Sequence, residues 1–382
     1  MSIPQVRAVL QAFNPFAINA EFKMSKEDDD DGAKKIKVFI LLGQSNMVGM
    51  GKVNGADTEG TLEHAVKTKN LYQYLIDDNQ EWKEVIDPRV RNLFTMGSGG
   101  FDKDKKTIKK NDLLSIQHSS TIGVEIGIGC VVGKWLESEN CRRETKGDGG
   151  GTEDVLLLKS CIGNRSLGWD LLPPGSQSFE YKNEKDGKTY VYAGYKESPA
   201  RWEKGTEPVP GNWYAGLQYD GDIARAKEVL ENLPKYIPGT KTSTTYEVAG
   251  FFWWQGDKDR YDRAYATNYL PNLVRLIQQL RNDFSAPNAK FVLATLGQTS
   301  NDANEKTSET ERYIFNAQMD VPNMVSFNGN VACVYSKPFC HGGASNSHYN
   351  HNAETYMDVG IAMGRAMIGL LGNSESHKEE LK

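Results

Sequence analysis

Four segments constrain the fold of this chain more than any other feature. KVFILLG (37–43), VLLLKSCIG (155–163), VAGFFWWQG (248–256) and FVLATLG (291–297) are almost continuously apolar, and each ends on glycine. Apolar runs without strict alternation belong to strands covered on both faces, as in parallel sheets. Helical periodicity fills the intervals at 121–138, 219–237, 268–284 and 353–372, with a moderately helical stretch at 62–77 and a short strand near 331–336. Strand–helix alternation at this spacing predicts a three-layer α/β/α sandwich with a mostly parallel central sheet, of the flavodoxin-like kind. The pattern divides the chain into an N-terminal extension (1–35), one domain (36–372) and a polar tail (373–382). Within the domain an insertion at about 169–219 carries the alternation and the Asp-Gly turn of a hairpin, FEYKNEKDGKTYVYAGY. Residues 25–35 read as a solvated charge run, 96–111 as an exposed loop and 142–154 as a glycine-rich turn.

Composition excludes some functions. A formal net charge of -5 gives no excess of cations to replace the counterions of a nucleic acid. No apolar run approaches the roughly 18 residues of a membrane span. Pro4 and Pro15 interrupt the first twenty residues, which do not read as a secretory signal. The five cysteines include no C-x-x-C pair and read as free or buried thiols, although Cys333 and Cys340 are close enough to bridge a loop. The glycine-rich segments 97–100 and 147–151 lack the strand–turn–helix context of a phosphate site, so no organic cofactor is expected.

Ligands of a parallel sheet bind at the C-terminal ends of its strands. Three strand ends here carry unusual residues: Gly43-Gln44-Ser45-Asn46, Gly163-Asn164 and Gln255-Gly256-Asp257. A fourth polar cluster, CHGGASNSHYNH (340–351), precedes the last helix and holds three of the six histidines. Taken alone, Ser45 could simply cap a helix. An activated serine requires an imidazole to take its proton, and the fourth cluster supplies candidates.

These blocks carry a family resemblance. VFILLGQSNMVGMG, SCIGNRSLGWD, FFWWQGDKD and SHYNHNAETYMDVG occur in the order of the SGNH hydrolases, and over most of residues 36–370 the chain resembles their carbohydrate acetylesterase and sialate O-acetylesterase-like branch, similar to carbohydrate esterase family 6. The resemblance implies Ser45 as nucleophile and His348, in the His-Tyr pair, as base, with His351 bonded locally or at the pocket rim. It implies an oxyanion hole from the Ser45 and Gly163 backbone N–H groups and the Gln255 side-chain amide, with Asn164 as a further candidate. Many members carry Asp three residues before the histidine, where this chain has Ser345. Asp257, at the carboxylate position of a related Q-G-E motif, is the replacement acid. Asp259 is an alternative that could instead pin the loop, and a Ser–His dyad is another. A zinc site at Cys340, His341, His348 and His351 fits the spacing only loosely and leaves Ser45 and Gln255 unexplained; no metal is expected.

The activity implied is removal of O-acetyl groups from a carbohydrate such as xylan through an acyl-enzyme, in a secreted or periplasmic setting. A sialate ester is the second substrate class and would favour Arg165 or Arg260 near the pocket. A catalytically silent carbohydrate-binding protein on the same scaffold is the non-enzyme alternative. Gln44, Trp169 and His351 complete the candidate substrate contacts, and the tryptophans and tyrosines of 169–219 read either as a sugar-stacking wall or as packing for a polar insertion. Of Trp253 and Trp254, alternation sends one to each face of the sheet.

Overall fold

The computed structural model describes residues 35–146, 153–302 and 305–372. The charge run before Lys35, nearly all of the N-terminal extension, the 147–151 glycines and the polar tail lie outside the described residues.

Seven strands form the central sheet: β1 (Lys35–Gly43), β2 (Asp87–Thr95), β3 (Ile108–Leu114), β4 (Glu153–Ser160), β5 (Thr245–Trp254), β6 (Lys290–Ala294) and β7 (Val331–Val334). Their order is β7-β6-β5-β1-β4-β2-β3, and every neighbouring pair is parallel except β2 with β3. Five long helices cover it: α1 (Val124–Lys146), α2 (Leu217–Glu231), α3 (Tyr269–Asp283), α4 (Glu309–Asp320) and α5 (Ala353–Leu371). Alternation along β1 feeds two cores. Val38, Ile40 and Leu42 join Ile223 of α2, Leu276 of α3 and Ile314 of α4 on one face. Phe39 and Leu41 join Ile128 of α1 and Met357 of α5 on the other. Each such side chain contributes about 1.5–3 kcal/mol on full burial, and covering both faces is what makes β1 apolar throughout. The expected three-layer sandwich is therefore observed.

Local differences from the sequence reading have physical causes. The loop expected over 96–111 gives way at Ile108 to β3, whose lysines suit an outer strand that must not recruit partners. The helical stretch at 62–77 reduces to Leu62–Lys67 and a 3-10 turn at Gln73–Leu75, because Asn70 and Tyr72 adopt φ of 55° and 51°. Helix α4 has little apolar pattern, yet Ser308 and Glu311 form a reciprocal capping box that sequence can reveal. Among the described residues, no helix is long and apolar enough to cross a membrane.

The segment after β4 contains a three-stranded antiparallel sheet, Phe179–Lys182, Thr189–Tyr192 and Arg201–Glu203. Its aromatic residues mostly brace it. Trp169 and Trp202 pack on Leu172, Ala193 and Ala215; Tyr195 and Tyr214 both donate to Asp220; the Tyr192 hydroxyl reaches Asp262. Trp213 differs, since the Arg165 guanidinium lies 5.1 Å above its ring.

Candidate functional site

Strand β1 sits between β4 and β5, so three adjacent parallel strands end together. Gly43 pairs with Trp254 at this edge, and its φ of 150° leads the chain away where a Cβ would stand 2.5 Å from the Trp254 carbonyl. Only glycine fits there. Ser45 then opens a single helical turn, Ser45–Val48, with the serine 9 % exposed and no side-chain cap on the turn. The turn is held from below by Lys159 of β4. Its ammonium donates 2.8 Å to the Val48 carbonyl and 2.9 Å to Glu125, and lies over the Phe94 ring. Sequence reading did not single out this lysine; one charge in an otherwise apolar strand was the available signal.

Gly163, beyond the end of β4, comes close to the nucleophile candidate: a Cβ built there would lie 3.5 Å from the Ser45 Cβ. Asn164 follows in the left-handed region at φ 57°. The base candidate arrives on the loop before α5. His348, Tyr349, Asn350 and His351 have φ of 53°, 53°, 50° and 60°, four left-handed residues in succession. Tyr349 anchors them. It is fully buried, stacks on Trp254 at 5.5 Å, and its hydroxyl accepts from Asn46 Nδ2 (3.4 Å) and Gly297 N (3.2 Å). The sequence neighbours of Ser45 and His348 are thus joined across 303 positions. The His348 ring makes no hydrogen bond to Ser45 or Asp257 in this conformation; catalytic hydrogen bonds are often long before substrate binds.

Burial, and then the nearby His351, hold the His348 imidazole below the ordinary histidine value against an opposing pull from Asp257. The His351 ring lies 5.9 Å from that of His348, and its Nδ1 sits 3.1 Å from the Met50 carbonyl, which fixes the proton on Nδ1. Asp257 Oδ1 accepts from Arg260 Nε at 2.9 Å and from the Ser345 hydroxyl at 2.5 Å. Asp259 lies fully buried, accepts from the Leu167 and Gly168 backbone N–H groups and from Gln255 Nε2, and burial pushes its carboxyl up to about 7. It pins the loop after Gly163 to the end of β5.

Several of the candidates are already engaged with other protein groups. Gln255 is fully buried, and its amide donates to Asp259 (2.5 Å), to the Arg165 carbonyl (3.0 Å) and to Gln44 (3.4 Å). Two hydrogens already face three acceptors, so this amide braces the strand ends. Gln44 is 2 % exposed and accepts from Gln255 and the Lys258 N–H, so it supports the strand ends. Trp169 belongs to the packing of the insertion. Arg260 lies between Asp257 and Glu311, at 2.9 Å from each. Arg165 hydrogen-bonds only neutral groups, Gln218, Ser98 and the Asn164 carbonyl, with Asp170 4.0 Å away.

A family profile described as carbohydrate esterase, sialic acid-specific acetylesterase, matches residues 35–105 and 198–369. The chain belongs to this family. The unmatched interval contains β4 and most of the insertion. Solved structures similar to the chain include a protein from Arabidopsis thaliana, at 16 % identity over 87 % of this chain and 98 % of that one with a TM-score of 0.44. A carbohydrate acetylesterase from Xanthomonas citri matches at 11 % identity over 87 % of this chain and 56 % of that one, TM-score 0.46. NanS matches at 11 % identity over 89 % and 99 %, TM-score 0.41. No curated protein sequence matches the chain.

In this family member the Asn46–Tyr349 link should be testable on its own. Tyr349→Phe leaves the buried Gly297 N–H and Asn46 amide short of an acceptor, each at a cost of about 1–3 kcal/mol. A fall of at least about 1 kcal/mol in urea unfolding free energy is expected, and an unchanged midpoint would mean that the hydroxyl does not hold the loop.

Proposed function

We propose that the protein is a serine esterase that removes O-acetyl groups from a carbohydrate through an acyl-enzyme. The observation that carries this reading is the bond from Asn46 to Tyr349, which ties the residue after Ser45 to the residue after His348, with the Gly163 backbone close to Ser45. In the proposed reaction His348 takes the Ser45 proton as the serine oxygen attacks the ester carbonyl carbon. The Ser45 and Gly163 backbone N–H groups receive the oxyanion, with Asn164 as a further donor, and Asp257 supplies the charge that steadies the imidazolium. Collapse expels the sugar oxygen, which takes the proton from His348. Water, deprotonated by the same imidazole, then releases acetate from Ser45.

Two substrate classes stand within this reading. A neutral acetylated polymer such as xylan requires no charged subsite. An O-acetylated sialic acid carries a carboxylate; the family description favours it, and Arg165, with one carboxylate (Asp170) 4.0 Å away, is less neutralised than Arg260, which has two at 2.9 Å. An exported setting suits either. The test is acetate release from acetylated xylan, an O-acetyl sialate and a small acetyl ester, with an organophosphorus label mapped by mass spectrometry. Label on Ser45 and turnover of at least one sugar ester support the proposal. Label elsewhere, or no turnover of any ester, removes it in favour of a binding role.

The pH dependence follows from the electrostatics of the base. His348 must be neutral to accept a proton, and its affinity for protons lies below the ordinary value of 6.5. The acid limb of kcat/KM should therefore fall below pH 6.5, with activity flat from there to neutrality. A limb centred above that value would contradict the assignment of His348.

A further inference from the structure

Asp257 is gripped from two sides by a ring of side chains that closes on itself. Its Oδ1 accepts from Arg260 Nε at 2.9 Å and from Ser345 Oγ at 2.5 Å. Arg260 Nη1 continues to Glu311 Oε1 at 2.9 Å, and the same oxygen accepts from Gln298 Nε2 at 3.2 Å. Gln298 Oε1 then accepts from the Ser345 backbone N–H at 3.2 Å, which completes the circuit. Four separate parts of the chain contribute: the end of β5, the end of β6, helix α4 and the His348 loop. Ser345 is 1 % exposed and uses both its hydroxyl and its N–H in the ring.

We propose that this ring fixes the Asp257 carboxylate against the His348 loop, and that Ser345 is a positioning residue for the base. The inference rests on the reading of His348 and Asp257 as base and orienting acid. Both ring contacts fall on Oδ1 of Asp257, which leaves Oδ2 as the oxygen for the imidazole. A hydroxyl donating to a carboxylate at this distance is among the stronger hydrogen bonds. Ser345 stands three residues before His348, so the hydroxyl couples the carboxylate to the very loop that carries the base. A serine there does not supply the missing charge; it holds a charge delivered by another strand. The charged groups that act on His348 are Asp257, which favours its protonated form, and His351, which opposes it. Arg260 and Glu311 complete the ring behind Asp257.

The test combines Ser345→Ala, Ser345→Thr, Asp257→Asn and the double variant S345A/D257N, read by kinetics and by NMR titration of the His348 ring. Ser345→Ala should lower kcat about tenfold with KM within about twofold, as expected for one charge-assisted hydrogen bond. The His348 midpoint should move down, because the Asp257 charge that raises it is no longer held in place. Asp257→Asn should move it further in the same direction, the double variant should match Asp257→Asn alone, and Ser345→Thr should restore most of both readouts. An unchanged His348 midpoint in Ser345→Ala, or additive losses in the double variant, would overturn the proposal. If the unmodified protein hydrolyses none of the esters, the titration still decides: a shifted midpoint keeps the ring while the esterase reading falls, and an unshifted one removes the ring as well.

Discussion

Replacing Ser45 with alanine is expected to lower kcat roughly 10^4- to 10^6-fold while leaving the fold intact. The size follows from what is lost. In the proposed mechanism no acyl-enzyme forms without that oxygen, and only the backbone donors and substrate binding remain to accelerate direct attack by water. The fold should survive because the Ser45 side chain caps nothing and makes no hydrogen bond among the described residues, while its backbone carbonyl still accepts from Gly49. Far-UV circular dichroism and the thermal midpoint of the variant should match those of the unmodified protein. The comparison belongs on whichever acetyl ester turns over fastest. Retention of more than about a tenth of the activity would remove Ser45 from the chemistry.

Lys159→Met should destabilise the protein by about 3–5 kcal/mol, the usual result of stranding one partner of a buried ion pair. Lys159 and Glu125 have side chains 3 % and 8 % exposed and stand 2.9 Å apart. Methionine has a similar volume, so the loss would come from charge and hydrogen bonding and not from a cavity. Glu125 would keep its bond from the Gly123 N–H but lose its counter-charge, and the Val48 carbonyl would lose its donor. Urea unfolding at constant slope measures the change. Adding Glu125→Gln should recover part of it, because no uncompensated charge then remains in the core. A cost below about 1 kcal/mol for the single variant would show that the pair is dispensable. Since Lys159 also ends the turn that begins at Ser45, catalysis should suffer with stability in this variant.

The parts of the fold that were legible in sequence are those where one physical cause dominates. Val38–Leu42 and Val155–Leu158 are buried on both faces, so their strands are written as uninterrupted apolar runs. Strand β2 escaped notice because polar and charged residues such as Arg89, Arg91 and Asn92 interrupt its apolar positions. The strand-end residues could be grouped in advance because a parallel sheet brings its C-terminal ends to one edge. Side-chain partnerships within that group could not. Nothing in the sequence indicates that Ser345 bonds Asp257 across 88 positions, or that the amide of Gln255 turns toward Asp259. The pinning role of Asp259 was one of two readings open from sequence, and the Leu167 and Gly168 N–H groups on its carboxylate favour it.

The left-handed run from His348 to His351 has a consequence for anyone who tries to make this protein more robust. Each non-glycine residue in that conformation costs about 1–2 kcal/mol, so the loop stores several kcal/mol against the burial and stacking of Tyr349. Substitutions that relax the run, glycine at Asn350 among them, would release stored strain and at the same time free the imidazole to wander. Sequence optimisation for thermal tolerance alone would be drawn to these four positions and would erode turnover there. Hardening is better sought on the far side of the sheet from this loop, where rigidity and readiness are not set against each other.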